Sequence, residues 1–250
     1  MNHFHHDGFD LAYLDRGTGE PMLLIHGFAS NARTNWDGPG WMATLNDAGY
    51  RTIALDNRGH GHSTKSHDSA DYHAADMASD AAALLDHLGI QKANVMGYSM
   101  GARIAAFLAI AHPERVKSLV FGGLGSGMVD GVGDWDPIAD ALLVDDPATI
   151  THARGAAFRK FADQTKSDRL ALAACIQTSR DLVDPADLRK LTMPVLVAAG
   201  TLDDISGDPF ELAAMMPDAG GFWIEGRDHM LAVGDRSFKQ AVLAFLARVA

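Results

Sequence analysis

A single cysteine, Cys175, stands among 250 residues, so no disulfide can form within the chain and burial alone must hold the fold. Thiol scarcity fits a reducing compartment. The first stretch, MNHFHHDGFD, has neither the cationic start nor the apolar core of a secretory signal, so a cytoplasmic location is expected. No apolar run reaches the roughly 18 residues that cross a bilayer. No block of Lys and Arg offers a track for phosphates. With 21 Lys and Arg against 32 Asp and Glu, the formal charge is −11, which favours solubility and argues against nucleic acid or an anionic membrane as partner. Cofactor motifs are missing too. GGLGSG has the wrong spacing for a dinucleotide fingerprint, and there is no Gly-Lys phosphate loop, His-Glu-x-x-His or cysteine pair. His3, His5 and His6 have no accompanying carboxylate pattern and read as incidental. The expectation is chemistry without metal or organic cofactor on a small-molecule substrate.

What is present is rhythm. Short apolar runs at residues 10–15, 22–27, 50–56, 93–97, 118–123, 194–200 and 221–226 alternate with longer helical patterns, the mark of βαβ units and a mostly parallel, doubly wound sheet flanked by helices. The middle runs are continuously apolar, as strands covered on both faces must be. Met77, Ala81, Leu84, Leu85 and Leu88 recur at helical spacing before Gly89, and Ile104, Phe107, Leu108 and Ala111 do so before Pro113. Residues 126–192 hold no strand pattern, only helical stretches, and read as a cap inserted between two late strands. The expected division is a core of residues 1–125 and 193–250 with a helical cap over 126–192.

Within NVMGYSMGARIAAFLA, Ser99 lies between Gly97 and Gly101, where an apolar run meets a helical pattern. A sharp strand-to-helix turn exposes a serine hydroxyl, and flanking glycines let the turn close. A hydroxyl is a weak nucleophile without a base. His229, in EGRDHM after the last run, fits that role, while His26, His60 and His62 are worse placed and read as loop-shaping residues. Asp203, three residues past Gly200, is expected to orient the imidazole, with Asp204 and Asp208 as competitors. The N–H groups of Phe28, after LLIHG, and of Met100 are expected to form an oxyanion hole.

In this order HGFAS, DNRGHGHS, GYSMG, GTLDD and GRDHM resemble the α/β-hydrolase superfamily over nearly the whole chain outside the cap. The resemblance implies an α/β-hydrolase fold with Ser99, Asp203 and His229 as a triad and Phe28 and Met100 as oxyanion donors. A serine at the elbow departs from dehalogenases and epoxide hydrolases, which carry aspartate there. Hydrolysis of a carboxylic ester or lactone with a largely apolar substrate is the expected chemistry. GYSMGAR is also similar to the GYSMGGR of a menaquinone-pathway lyase, which puts Arg103 near an anionic substrate and keeps a lyase or C–C bond hydrolase as an alternative. Its competing reading is an ion pair. A non-catalytic receptor on the same fold is the third reading. Candidate substrate contacts are Arg103, Met128, Trp135 and Phe158, with Phe161, Leu170 and Ile176 as further apolar candidates and Arg154, Arg159, Lys160 and Arg180 as possible carboxylate ligands.

Overall fold

Each of the seven apolar runs becomes a strand in the computed structural model, which describes residues 1–249. These are β2 (Phe9–Arg16), β3 (Glu20–Ile25), β4 (Tyr50–Leu55), β5 (Ala93–Tyr98), β6 (Val116–Gly122), β7 (Val195–Gly200) and β8 (Ala219–Ile224). One further strand, β1 (Asn2–His6), pairs antiparallel with β2. Its turn is Asp7-Gly8, with φ of 47° and 82°. Positive φ at both central residues suits the twist of a tight hairpin, and Asp-Gly between extended runs is its sequence signal. β1 thus embeds the N-terminal histidines, of which His3 bonds Asp10 at 2.9 Å and His6 bonds Ser79 at 3.1 Å.

The eight-stranded sheet has the order β1-β2-β4-β3-β5-β6-β7-β8, with β4, β3, β5, β6, β7 and β8 mutually parallel and β2 antiparallel to both β1 and β4. Helices flank it: α1 (Trp41–Asp47), α2 (Ala74–His87) and α3 (Met100–Ala111). Between β6 and β7 the chain forms α4 (Gly127–Asp130), α5 (Asp136–Leu143), α6 (Ala153–Gln164), α7 (Arg169–Thr178) and α8 (Pro185–Leu188). It closes with α9 (Pro209–Ala213), α10 (His229–Ala232) and α11 (Arg236–Val249).

The pleat divides the core. Along β3, Leu23 and Ile25 join the cluster under α2, α3 and the insertion, while Met22 and Leu24 join the one under α1 and α11 with Trp36, Trp41 and Phe238. Strand order reverses at β3, which has β4 on one side and β5 on the other. Ligands of open α/β sheets bind at the carboxyl ends of strands beside such a reversal. Ile25 pairs in register with Gly97, so the turn after β3 and the turn after β5 leave the sheet side by side. No helix among the described residues is long and apolar enough to cross a membrane.

Candidate active site

Ser99 is held at φ 54° and ψ −116°, a left-handed backbone that few residues other than glycine adopt. The glycines around it answer to contacts. A Cβ on Gly97 would lie 2.1 Å from the Gly101 carbonyl oxygen, and one on Gly101 would lie 2.0 Å from that of Ile25. Strand β5, helix α3 and strand β3 therefore touch through backbone alone. Gly101→Ala is expected to lower stability by more than about 3 kcal/mol, because rigid backbone cannot yield as a flexible side chain can; urea unfolding measures it, and an unchanged midpoint would contradict the contact.

The turn after β7 carries Asp203 and the one after β8 carries His229, and the pairing of Gly200 with Ile224 brings both to the edge where Ser99 stands. His229 Nδ1 donates to Asp203 Oδ2 at 2.8 Å, since a carboxylate oxygen only accepts. That leaves Nε2 of a neutral ring to accept from Ser99 Oγ at 3.0 Å. The Asp203 side chain is fully buried. Burial opposes its ionisation, but hydrogen bonds from His229, Ser206 and the Ile205 N–H outweigh that and hold its carboxyl below the ordinary range. Asp204 lies on the surface beside Arg154 at 3.2 Å, and Asp208 caps α9 through the Phe210 N–H.

Three supporting residues escape a sequence reading. Tyr98 Oη donates to the His229 carbonyl at 2.6 Å, and burial with the charge of Asp203 raises its phenol well above the ordinary value. Ser206 Oγ donates to Asp203 Oδ2. Asp203-x-x-Ser206 is a local turn spacing that could have signalled it. Asn35 Oδ1 accepts from the Gly27 N–H at 3.2 Å and fixes the turn after β3. Within that turn His26 Nδ1 donates to the Gly27 carbonyl at 2.7 Å while Nε2 accepts from the Asn57 N–H at 3.0 Å. The backbone N–H groups of Phe28 and Met100 have no acceptor among the described residues, and both residues line a chamber at Ser99.

A family model described as alpha/beta hydrolase fold matches residues 20–172. The chain belongs to the α/β-hydrolase family. It is 31% identical over 269 residues to the protein named "Putative non-heme bromoperoxidase BpoC" of Mycobacterium tuberculosis, covering 96% of this chain and 98% of that one. Against the non-heme chloroperoxidase CPO-A1 of Kitasatospora aureofaciens it is 30% identical, covering 96% and 97%. Superposed on the crystal structure of a hydrolase from Pseudomonas aeruginosa PA01 it gives a TM-score of 0.80 at 26% identity, covering 98% and 97%.

In this α/β hydrolase the remaining candidate residues divide. Trp135 and Phe158 line the apolar cleft of about 300 Å³ that contains Ser99 and His229, their rings 5.8 Å apart. Met128 does not reach a cavity at Ser99. It is fully buried in α4, and its carbonyl accepts from Arg103 at 3.0 Å. Leu170 faces outward at 54% exposure in the first turn of α7, two residues after the cap Asp168. Arg103 is buried and forms neither an ion pair nor a free anion contact among the described residues. Its guanidinium donates to the carbonyls of Met128, Asp181 at 2.6 Å and Gly127 at 3.3 Å, tying α3 to both ends of the insertion. Desolvation brings it down to about 10, so it stays protonated at neutral pH. Arg159 is likewise committed to the Ala141 and Val144 carbonyls and to Asp163. Neither His60, bonded to the Arg58 carbonyl at 2.9 Å, nor the exposed His62 approaches Ser99 by any hydrogen bond. Among the described residues no group of three His, Cys, Asp or Glu is placed to hold a metal ion.

Proposed function

We propose that this α/β hydrolase is a serine hydrolase that cleaves a carboxylic ester or lactone of a small, largely apolar molecule through an acyl-enzyme. The observation that carries the reading is the hydrogen-bonded series from Ser99 Oγ through His229 to buried Asp203. As Ser99 attacks the acyl carbon, His229 Nε2 takes the hydroxyl proton, and Asp203 stabilises the resulting imidazolium. Negative charge on the former carbonyl oxygen falls to the N–H groups of Phe28 and Met100. Their free donors are fixed before substrate arrives, one by the Asn35-held turn and the other by the first turn of α3, which is where such stabilisation is strongest. The released alkoxide takes the proton back from Nε2, and a water deprotonated by His229 then frees the acid.

Arg103 also lines the chamber beside Ser99, but its guanidinium is spent on three carbonyls, which weighs against an anionic substrate and lyase chemistry. A receptor without chemistry gives no reason for a serine, base and acid in mutual hydrogen-bond contact. The experiment is covalent capture by a fluorophosphonate followed by peptide mass mapping. The adduct is expected on Ser99 alone. Asp203→Asn should slow labelling by about 10³ to 10⁴-fold, since an amide holds the wrong tautomer, whereas Asp204→Asn, changed at an exposed side chain, should stay within about threefold. Intact protein that resists labelling, or an adduct elsewhere, would sink the proposal.

A further inference from the structure

Ser99 stands between two spaces of very different size. On one side lies the cleft of about 300 Å³, walled by Phe158, Phe161, His229, Met230 and Leu231. On the other lies a chamber of about 30 Å³, lined mainly by apolar Met100, Leu124, Val132, Ile176 and Ile205, with Arg103, Ser179 and Arg180 also on its wall. Phe28, Ser99 and Trp135 border both, and His229 borders the cleft but not the chamber.

Proton transfer tells the two apart. The bond that breaks joins the acyl carbon to the leaving oxygen, which must accept its proton from His229 Nε2, so the alcohol portion lies on the side His229 borders. The acyl substituent points away from the leaving group, into the space that Met100 closes. A single water needs at least ~10–15 Å³ of such volume, so a chamber of about 30 Å³ suits a methyl or ethyl group better than a longer chain. We infer that this protein hydrolyses esters of two- or three-carbon acids with bulky apolar alcohols, the acyl group seated beside Val132 and Ile176. The inference rests on the reading of Ser99 as nucleophile. In atoms, ester and water give the short acid and the alcohol. Ser99 Oγ bonds the acyl carbon as the alcohol departs with the proton Ser99 gave up, and water restores both.

The test holds the leaving group constant. With 4-nitrophenyl acetate, butyrate and octanoate, kcat/KM is expected to fall at least about tenfold from acetate to butyrate, and further to octanoate, as overfilling a closed apolar pocket costs at each added methylene. Ile176→Ala and Val132→Ala each widen the chamber and should raise the butyrate-to-acetate ratio by about tenfold. That ratio is independent of the folded fraction, so a variant that folds poorly still reports. A chain-length series that is flat or rising, or a ratio that neither variant moves, overturns this inference and leaves the nucleophile reading standing. Failure to turn over any of the three esters while Ser99 also resists fluorophosphonate overturns both.

Discussion

Ser99→Ala is expected to reduce turnover of 4-nitrophenyl acetate by about 10⁴-fold or more while leaving the unfolding midpoint within about 0.5 kcal/mol of wild type. The activity loss follows from chemistry: without Oγ there is no acyl-enzyme, and what survives is the contribution of binding and of the two free N–H groups to direct attack by water. The small stability change follows from structure. Ser99 Oγ is hydrogen-bonded to His229 Nε2, and the cleft gives that ring nitrogen an alternative partner in water. Alanine inherits the same left-handed backbone, so the strain at φ 54° is neither added nor relieved. Initial rates and urea unfolding on the same preparation separate the two effects. Activity retained within about tenfold would remove Ser99 from the reaction.

Stability is expected to fall steeply as pH drops from about 6.5 towards 4. His26 and His60 are both buried, their rings 5.1 Å apart. Burial pushes the His26 imidazole down to about 4, against a hydrogen bond to the Gly27 carbonyl that works the other way. Burial, together with repulsion from His26, pushes His60 down to about 3. In the unfolded chain both titrate near 6.5. Above that value neither state is protonated, so neither ring contributes a pH-dependent term. Below it the unfolded chain takes up protons that the folded protein refuses, so each ring removes about 1.4 kcal/mol per pH unit until its own folded value is reached. Two rings acting together remove about 7 kcal/mol by pH 4, so a domain near the lower end of the usual ~5–15 kcal/mol unfolds there and a more stable one loses about half its margin. A urea midpoint constant between pH 7 and 5 would show that neither ring resists protonation in the folded protein.

The sheet was legible because its strands are covered on both faces, which writes them into the chain as unbroken apolar runs. β1 was not, since NHFHH buries one side chain fully, Phe4, and offers almost no run to read. Only Asp7-Gly8 announces it. Around Ser99 the order of the turns was readable, because each follows an apolar run that closes on a glycine, Gly27, Gly97, Gly200 or Gly226. The choice among Asp203, Asp204 and Asp208 was not, since three carboxylates within six residues share one composition. Their surroundings separate them: one is buried against His229, one pairs with Arg154 and one caps a helix. Arg103 shows the limit most plainly. Its position four residues after Ser99 suggested a ligand contact, but its partners lie 24, 25 and 78 positions further along, at separations no local pattern encodes.

Those three carbonyls bear on how the molecule opens. Gly127 and Met128 begin the insertion, Asp181 stands near its end, and one guanidinium in the first turns of α3 grips both. Detaching the insertion as a unit would leave a buried cation with its donors unfilled and the Ser99 turn exposed, a far costlier event than fraying its middle helices. Opening is therefore expected at α5, which Trp135 precedes, and at α6, which holds Phe158, and the roots of the insertion are expected to exchange their amide protons more slowly than those helices.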